Sequence, residues 1–140
     1  MMNSATLRAS IEMLNPCKPI CVEIGTQVYE VIKVMKDNGI GCVCVVDNHE
    51  LVGIFTERDV LIKVIGGKLN VQKIKIEDVM TPHPEYLFQD DQIAFALNRM
   101  HVGGFRHIPL LNFQGQPTGI ISVKDIIGHL VKNLDAEKTP

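Results

Sequence analysis

The sequence is short of net charge, of long apolar runs and of paired cysteines. Each shortage removes a class of function. With a formal charge of −2 over 140 residues, it has no broad basic face for nucleic acid or an anionic membrane surface. Any anion must be held locally, by a few groups. No apolar run approaches the roughly 18 residues of a membrane-spanning helix. The opening MMNSATLRASIEML has no apolar stretch of the kind a secretory signal carries. The four cysteines, Cys17, Cys21, Cys42 and Cys44, form no CxxC pair, and the five histidines are scattered. No metal site is expected. Cys42 and Cys44 lie two apart in a β-branched run, which places them on one sheet face. Free, buried thiols fit a reducing, cytoplasmic setting. No Ser-His-Asp, Cys-His or paired-carboxylate arrangement is recognisable, and there is no Walker-type phosphate loop or magnesium site. No catalytic residue is assigned, and the chain is not expected to be an enzyme.

What is present is a repeat. GIFTERD (53–59) returns as GIISVKD (119–125). At a shift of 65, IEML (11–14) falls on IEDV (76–79), and TQVYEVIKVMKDNG (26–39) on DQIAFALNRMHVGG (91–104). Val28, Val31, Ile32 and Met35 then match Ile93, Ala96, Leu97 and Met100, the stripe of an amphipathic helix written twice. Thr26 and Asp91 are the expected N-caps, and Gly39 and Gly104 the expected C-terminal glycines. CVCVVD (42–47) and HIPLLN (107–112) read as buried strands, and LVGIF (51–55) and PTGII (117–121) as their partners. The turn between them is one residue longer in the second copy, so the shift grows to 66. A closing helix follows in each half, at 59–65 and 125–134.

The expected organisation is an N-terminal extension (1–10), one repeat (11–65), a linker (66–75), a second repeat (76–134) and a tail (135–140). Each repeat is β-α-β-β-α, with a parallel crossover and then an adjacent strand pair. Halves of about 60 residues bury only about 60% of their surface alone. The expected fold class is α+β, two repeats packed with pseudo-twofold symmetry.

The repeated heptad admits two readings. Thr56 and Ser122 stand at N-cap positions with Asp59 and Asp125 three residues on, which is a capping box with Asp in place of Glu. Equally, the hydroxyl at a helix opening can face a phosphate, while a carboxylate can accept from both hydroxyls of a ribose. Gly53 and Gly119 would let the ligand approach the backbone, and Arg58 and Lys124 would offset its charge or line a solvated helix face. The ligand reading fails if both carboxylates turn onto their own main chain with no hollow beside either.

The paired G-h-h-[ST]-x-x-D stretches, VMTPHP (79–84) and RHIPLL (106–111) closely resemble a pair of CBS domains, the cystathionine-β-synthase-type regulatory repeats, over residues 11 to 134. The resemblance implies clefts for AMP, ADP, ATP or S-adenosylmethionine. It assigns Asp59 and Asp125 to ribose and Thr56 and Ser122 to phosphate. It places the base against the segments around Lys18–Cys21 and His83–Tyr86. Arg106 and His107, which replace Gly41 and Cys42 of the first copy, become candidate phosphate contacts in the second copy alone. It further implies a homodimer and a regulated partner acted on in trans. The alternative is an interaction or dimerisation protein that keeps the fold without a ligand.

Overall fold

The computed structural model describes residues 4–137. In chain order its elements are α1 (Ser4–Arg8), a 3-10 turn (Ile11–Leu14), β1 (Cys21–Glu23), α2 (Val28–Asn38), β2 (Cys42–Asp47) and β3 (Glu50–Thr56). Then come α3 (Glu57–Asp59), running straight into a π-helical segment (Val60–Ile65), a 3-10 turn (Ile76–Asp78) and β4 (Thr81–Pro82). The chain finishes with α4 (Ile93–Gly103), β5 (His107–Leu111), β6 (Pro117–Ser122) and α5 (Val123–Glu137). The α+β class and the order within each copy are as expected. The final residues of the expected tail, 138–140, lie outside the described residues.

Two compact units form, and they cut across the sequence repeats. One comprises residues 19–84 with 113–117; the other comprises the described residues up to Lys18 with 85–112 and 118 onward. Each repeat's leading segment thus belongs to the unit that holds the other repeat's helices and strands.

In the first unit the sheet order is β1-β2-β3-β4. β1 runs parallel to β2, β2 and β3 are antiparallel, and β4 pairs with β3 through Gly53–Pro82 and Ile54–Thr81. The expected stripe is buried: Val28, Val31 and Met35 of α2 pack with Val43, Val45 and Phe55 of the sheet. Cys42 and Cys44 are both buried, as expected, in a strand buried on both faces from Cys42 to Val46.

In the second unit β5 and β6 form a two-stranded sheet, joined by Leu87 through a parallel bridge to Leu110. Ile93, Ala96 and Met100 of α4 bury against Ile108, Leu110, Ile121 and Ile126.

The C-terminal glycines are as expected. Gly39 and Gly104 adopt the left-handed conformation, at φ 61° and 70°, which glycine enters without steric cost. The expected N-caps are not. Gln27 and Gln92 hold those positions, with no side-chain cap bond. The Thr26 hydroxyl donates instead to the Glu23 carbonyl at 2.6 Å, and an Asp91 oxygen accepts from the Phe88 amide at 2.8 Å. The helix-opening donors are met by backbone from elsewhere. Val28 N–H donates to Ile74 O and Tyr29 N–H to Val71 O, both at 3.0 Å. In the second unit Ile93 N–H donates to Ala9 O at 2.9 Å. Residues 66–75 therefore form a packed brace, with Val71 and Ile74 against the core. The segment before Ile11 serves α4 as that brace serves α2.

Candidate functional site

The two heptads fold as helix openings, and in both the capping reading is realised. In the first copy the Thr56 amide donates to Asp59 Oδ2 at 3.0 Å, and the Asp59 amide to Thr56 Oγ1 at 3.3 Å. In the second the Ser122 amide donates to Asp125 Oδ2 at 2.8 Å, and the Asp125 amide to Ser122 Oγ at 3.3 Å. These reciprocal bonds satisfy donors that a helix start leaves open.

Beyond the cap the copies part. Asp59 is 8% exposed, and its other oxygen is spent as well. Lys63 Nζ stands 3.2 Å from Oδ1, and the Thr81 hydroxyl lies 3.3 Å from Oδ1 and 3.4 Å from Oδ2. The same ammonium donates to the Val79 and Met80 carbonyls at 3.0 and 3.3 Å. The Thr56 hydroxyl turns inward too, donating to Asp59 Oδ2 at 3.2 Å. Carboxylate and hydroxyl are thus both committed to the fold.

At the second opening Asp125 is only half-buried. Among the described residues, its Oδ1 accepts no hydrogen bond and the Ser122 hydroxyl donates none. The sequence explains the difference. At the repeat shifts, Lys63 corresponds to His129 and Thr81 to Pro16. Proline has no side-chain donor, and His129 faces Asn133 on its own helix.

Charge at the strand entry differs in the same sense. The Glu57 amide donates to Gly41 O, and its counterpart Val123 to Arg106 O, both at 3.0 Å. In the first copy the Glu57 carboxylate lies over Gly41, where a Cβ would meet it. In the second, Arg106 carries an exposed guanidinium there and Val123 adds no charge. A phosphate would meet an anion at one opening and a cation at the other.

An open cavity of about 480 Å³ lies beside the first opening, lined by Ile32, Met35, Ile40, Gly41, Glu57 and Val60 among others. Neither Thr56 nor Asp59 lines it. Asp59 is turned onto its own main chain and onto Lys63, and Asp125 has one of its two oxygens turned inward. The other candidates sit as follows: Arg58 and Lys124 are exposed on the first turns of their helices, and His107 is half-buried at the start of β5.

The glycines serve a purpose the sequence reading gave to a ligand. A Cβ on Gly53 would lie 3.0 Å from the Thr81 carbonyl, and one on Gly119 would lie 3.1 Å from Pro16 Cβ and 3.4 Å from the Cys17 carbonyl. Each glycine admits a leading segment against its strand. Lys18–Cys21 and His83–Tyr86, expected near a base, span the points where the chain passes between units, at Lys18/Pro19 and Pro84/Glu85. Among the described residues, no three His, Cys, Asp or Glu side chains are grouped to hold a metal ion, and no helix is long and apolar enough to cross a membrane.

Comparison with known proteins places this arrangement. Two relatives in Arabidopsis thaliana and Schizosaccharomyces pombe, CBS domain-containing protein CBSCBSPB5 and meiotically up-regulated gene 70 protein, are 27% and 31% identical over 92% and 76% of this chain. The chain spans only 24% and 14% of their lengths. Among solved structures, the CBS domain of NE2398 superposes at a TM-score of 0.81 with 21% identity, covering 88% of this chain and 98% of its own. The CBS domain pair of MJ0100, in complex with 5′-methylthioadenosine and S-adenosyl-L-methionine, gives 0.78 at 23% identity over 86% of this chain and 98% of its own. PAE2072 from Pyrobaculum aerophilum, complexed with AMP, gives 0.77 at 19% identity over 88% and 98%. The CBS domain model itself matches twice, at residues 10–66 and 76–132, so the doubled helix openings are those of a pair of CBS domains and the chain belongs to that family.

Proposed function

We propose that this chain is a regulatory module that binds an adenosine ligand (AMP, ADP, ATP or S-adenosylmethionine) through its second repeat and acts in trans on a partner protein. The observation that carries the reading is the open half of Asp125, beside the Ser122 hydroxyl, which accepts the Asp125 amide but donates to no described residue, and the exposed Arg106. Asp125 Oδ1 would accept from a ribose hydroxyl, while Ser122 and Arg106 would face phosphate, with the His107 imidazole and the Lys124 ammonium nearby in sequence. Thr56, Asp59 and Arg58 belong to the opening that Lys63 and Glu57 close, so one ligand per chain is expected. A ligand shifts a regulatory equilibrium only through unequal affinity for two states, and here the response would come from the second repeat. Binding and release, not turnover, is the proposed activity, in the cytoplasm.

Exposed apolar side chains support a homodimer. Leu61, Ile62 and Ile65 in the first unit are 63%, 58% and 63% exposed, and Val102 in the second is 65% exposed.

Titration calorimetry with AMP, ADP, ATP, S-adenosylmethionine and adenosine tests the reading. The expected result is one site per chain, weakened about tenfold or more by Asp125→Asn, since a hydrogen bond to a charged group contributes about 1.5–3 kcal/mol. Arg106→Ala is expected to weaken AMP and spare adenosine. Nucleotide consumption during the titration would overturn it in favour of catalysis. Heatless titrations with every compound would favour a second reading, a ligand-free interaction module, which the capping bonds at both aspartates support.

A further inference from the structure

The cysteines left unassigned by the sequence are brought together by the first sheet. β1 and β2 run parallel with Cys21 directly opposite Cys44. Paired strands lie about 4.7–4.9 Å apart, inside the Cα separation of about 4.4–6.8 Å that disulfides span. β1 is a three-residue edge strand with β2, among the described residues, as its one sheet neighbour, so it can adjust to the bond. Cys21 is exposed and Cys44 fully buried. An accessible thiol backed by a shielded one is the arrangement of an attacking and a resolving cysteine.

We propose that Cys21 and Cys44 form a reversible redox pair, oxidised by hydroperoxides to an inter-strand disulfide and restored by small thiols. The Cys21 thiolate attacks the outer peroxide oxygen and the O–O bond breaks. The alcohol or water leaves with a proton from solvent, and Cys21 becomes the sulfenic acid. Cys44 sulfur then attacks Cys21 sulfur, the S–OH bond breaks, and the hydroxyl leaves as water with the Cys44 proton. Two electrons pass from the thiols to the peroxide. Thiol–disulfide exchange with two equivalents of an external thiol reverses the change.

The surroundings favour Cys21 as the attacking group. The Cys44 thiol donates to its sulfur and lowers its pKa from 9.0 to about 7, against a smaller upward effect of burial. Cys44 is held protonated by that same bond and by burial. Cys42, on the same face of β2, is pushed up to about 12 by burial and the nearby Asp59 carboxylate. It is withdrawn from competition.

Treat the folded chain with hydrogen peroxide, alkylate under denaturing conditions and map the peptides. A Cys21–Cys44 cross-link that disappears with dithiothreitol is expected. In Cys44→Val the oxidised chain should instead carry a dimedone-reactive sulfenic acid at Cys21, and in Cys17→Ser the cross-link should persist. Native Cys21 should alkylate about threefold faster than an ordinary thiol at neutral pH, its larger thiolate fraction outweighing its lower nucleophilicity. Its rate should rise with a midpoint near pH 7, moving upward in Cys44→Val. Cys21→Ser alters an exposed position, so its loss of the cross-link reports chemistry rather than unfolding. A folded native chain that yields only overoxidised Cys21, or a midpoint unmoved by Cys44→Val, would overturn the proposal.

Discussion

The two helix openings share a motif, a capping box and a glycine packed against a leading segment, yet one is closed and the other open. At Asp59 both oxygens and the Thr56 hydroxyl are used within the fold. At Asp125, among the described residues, one oxygen accepts no bond and the Ser122 hydroxyl donates none. The glycine, the hydroxyl and the aspartate are shared by both; the difference comes from Lys63 against His129, Thr81 against Pro16, and Glu57 with Gly41 against Val123 with Arg106. A motif therefore fixes the helix start, and its surroundings decide whether the same atoms are free to meet a ligand. In the first repeat the carboxylate ties Lys63 to the carbonyls of Val79 and Met80, and so holds the segment leading into β4.

That contrast is most strongly tested by removing each carboxylate. Asp59→Ala deletes a cap, worth about 1 kcal/mol, and takes from Lys63 its anionic partner. Because the Lys63 side chain is 37% exposed, the ion pair itself contributes modestly. A total loss of about 2–3 kcal/mol is expected from the cap and the charged hydrogen bonds together. Asp125→Ala should cost about 1 kcal/mol, the cap alone. Urea unfolding of both variants checks this, and equal losses would break the comparison.

Much of this was legible in the sequence, for a physical reason. Core packing repeats with the chain, so Val28, Val31 and Met35 and their counterparts Ile93, Ala96 and Met100 showed both helices. The left-handed glycines showed where those helices end. The N-caps at Thr26 and Asp91 were misplaced because Ile74, Val71 and Ala9 supply the carbonyls, and a bond to a distant backbone leaves no local signature. The exchange of leading segments between units was hidden for the same reason, since covalent order does not reveal which body a short segment joins. Lys63 and Thr81 were missed as partners of Asp59. Their signal was present as the unequal pairs Lys63/His129 and Thr81/Pro16, visible only by comparing the copies where they disagree.

A charge exchange sharpens the comparison at the second opening. Arg106→Gly with Val123→Glu gives it the residues of the first opening at both places. Arg106 is exposed, but Val123 is half-buried against the second core, so a stability loss of about 1–2 kcal/mol is expected, measured by urea unfolding. AMP binding should fall about tenfold or more, through loss of a charge-assisted contact and gain of a like charge. Adenosine, lacking phosphate, should bind nearly as before. Calorimetric titration of both compounds separates a charge effect from general damage. Equal weakening of the two would show that Arg106 does not face phosphate.

The smallest effect concerns Thr81, the member of the Asp59 network with the longest bonds. Its hydroxyl reaches Asp59 Oδ1 and Oδ2 at 3.3 and 3.4 Å and lies 3.4 Å from Lys63 Nζ. Thr81→Val keeps the branched shape beside Gly53 and removes only these contacts. Lys63 still serves Asp59 Oδ1, so no buried charge is stranded, and about 0.5 kcal/mol should be lost, at the low end for a hydrogen bond. In the Asp59→Ala background the same change should cost less, because the acceptor it serves is already gone. A cost that persists in full there would place the value of Thr81 in its strand packing, leaving Lys63 as the residue that closes the first opening.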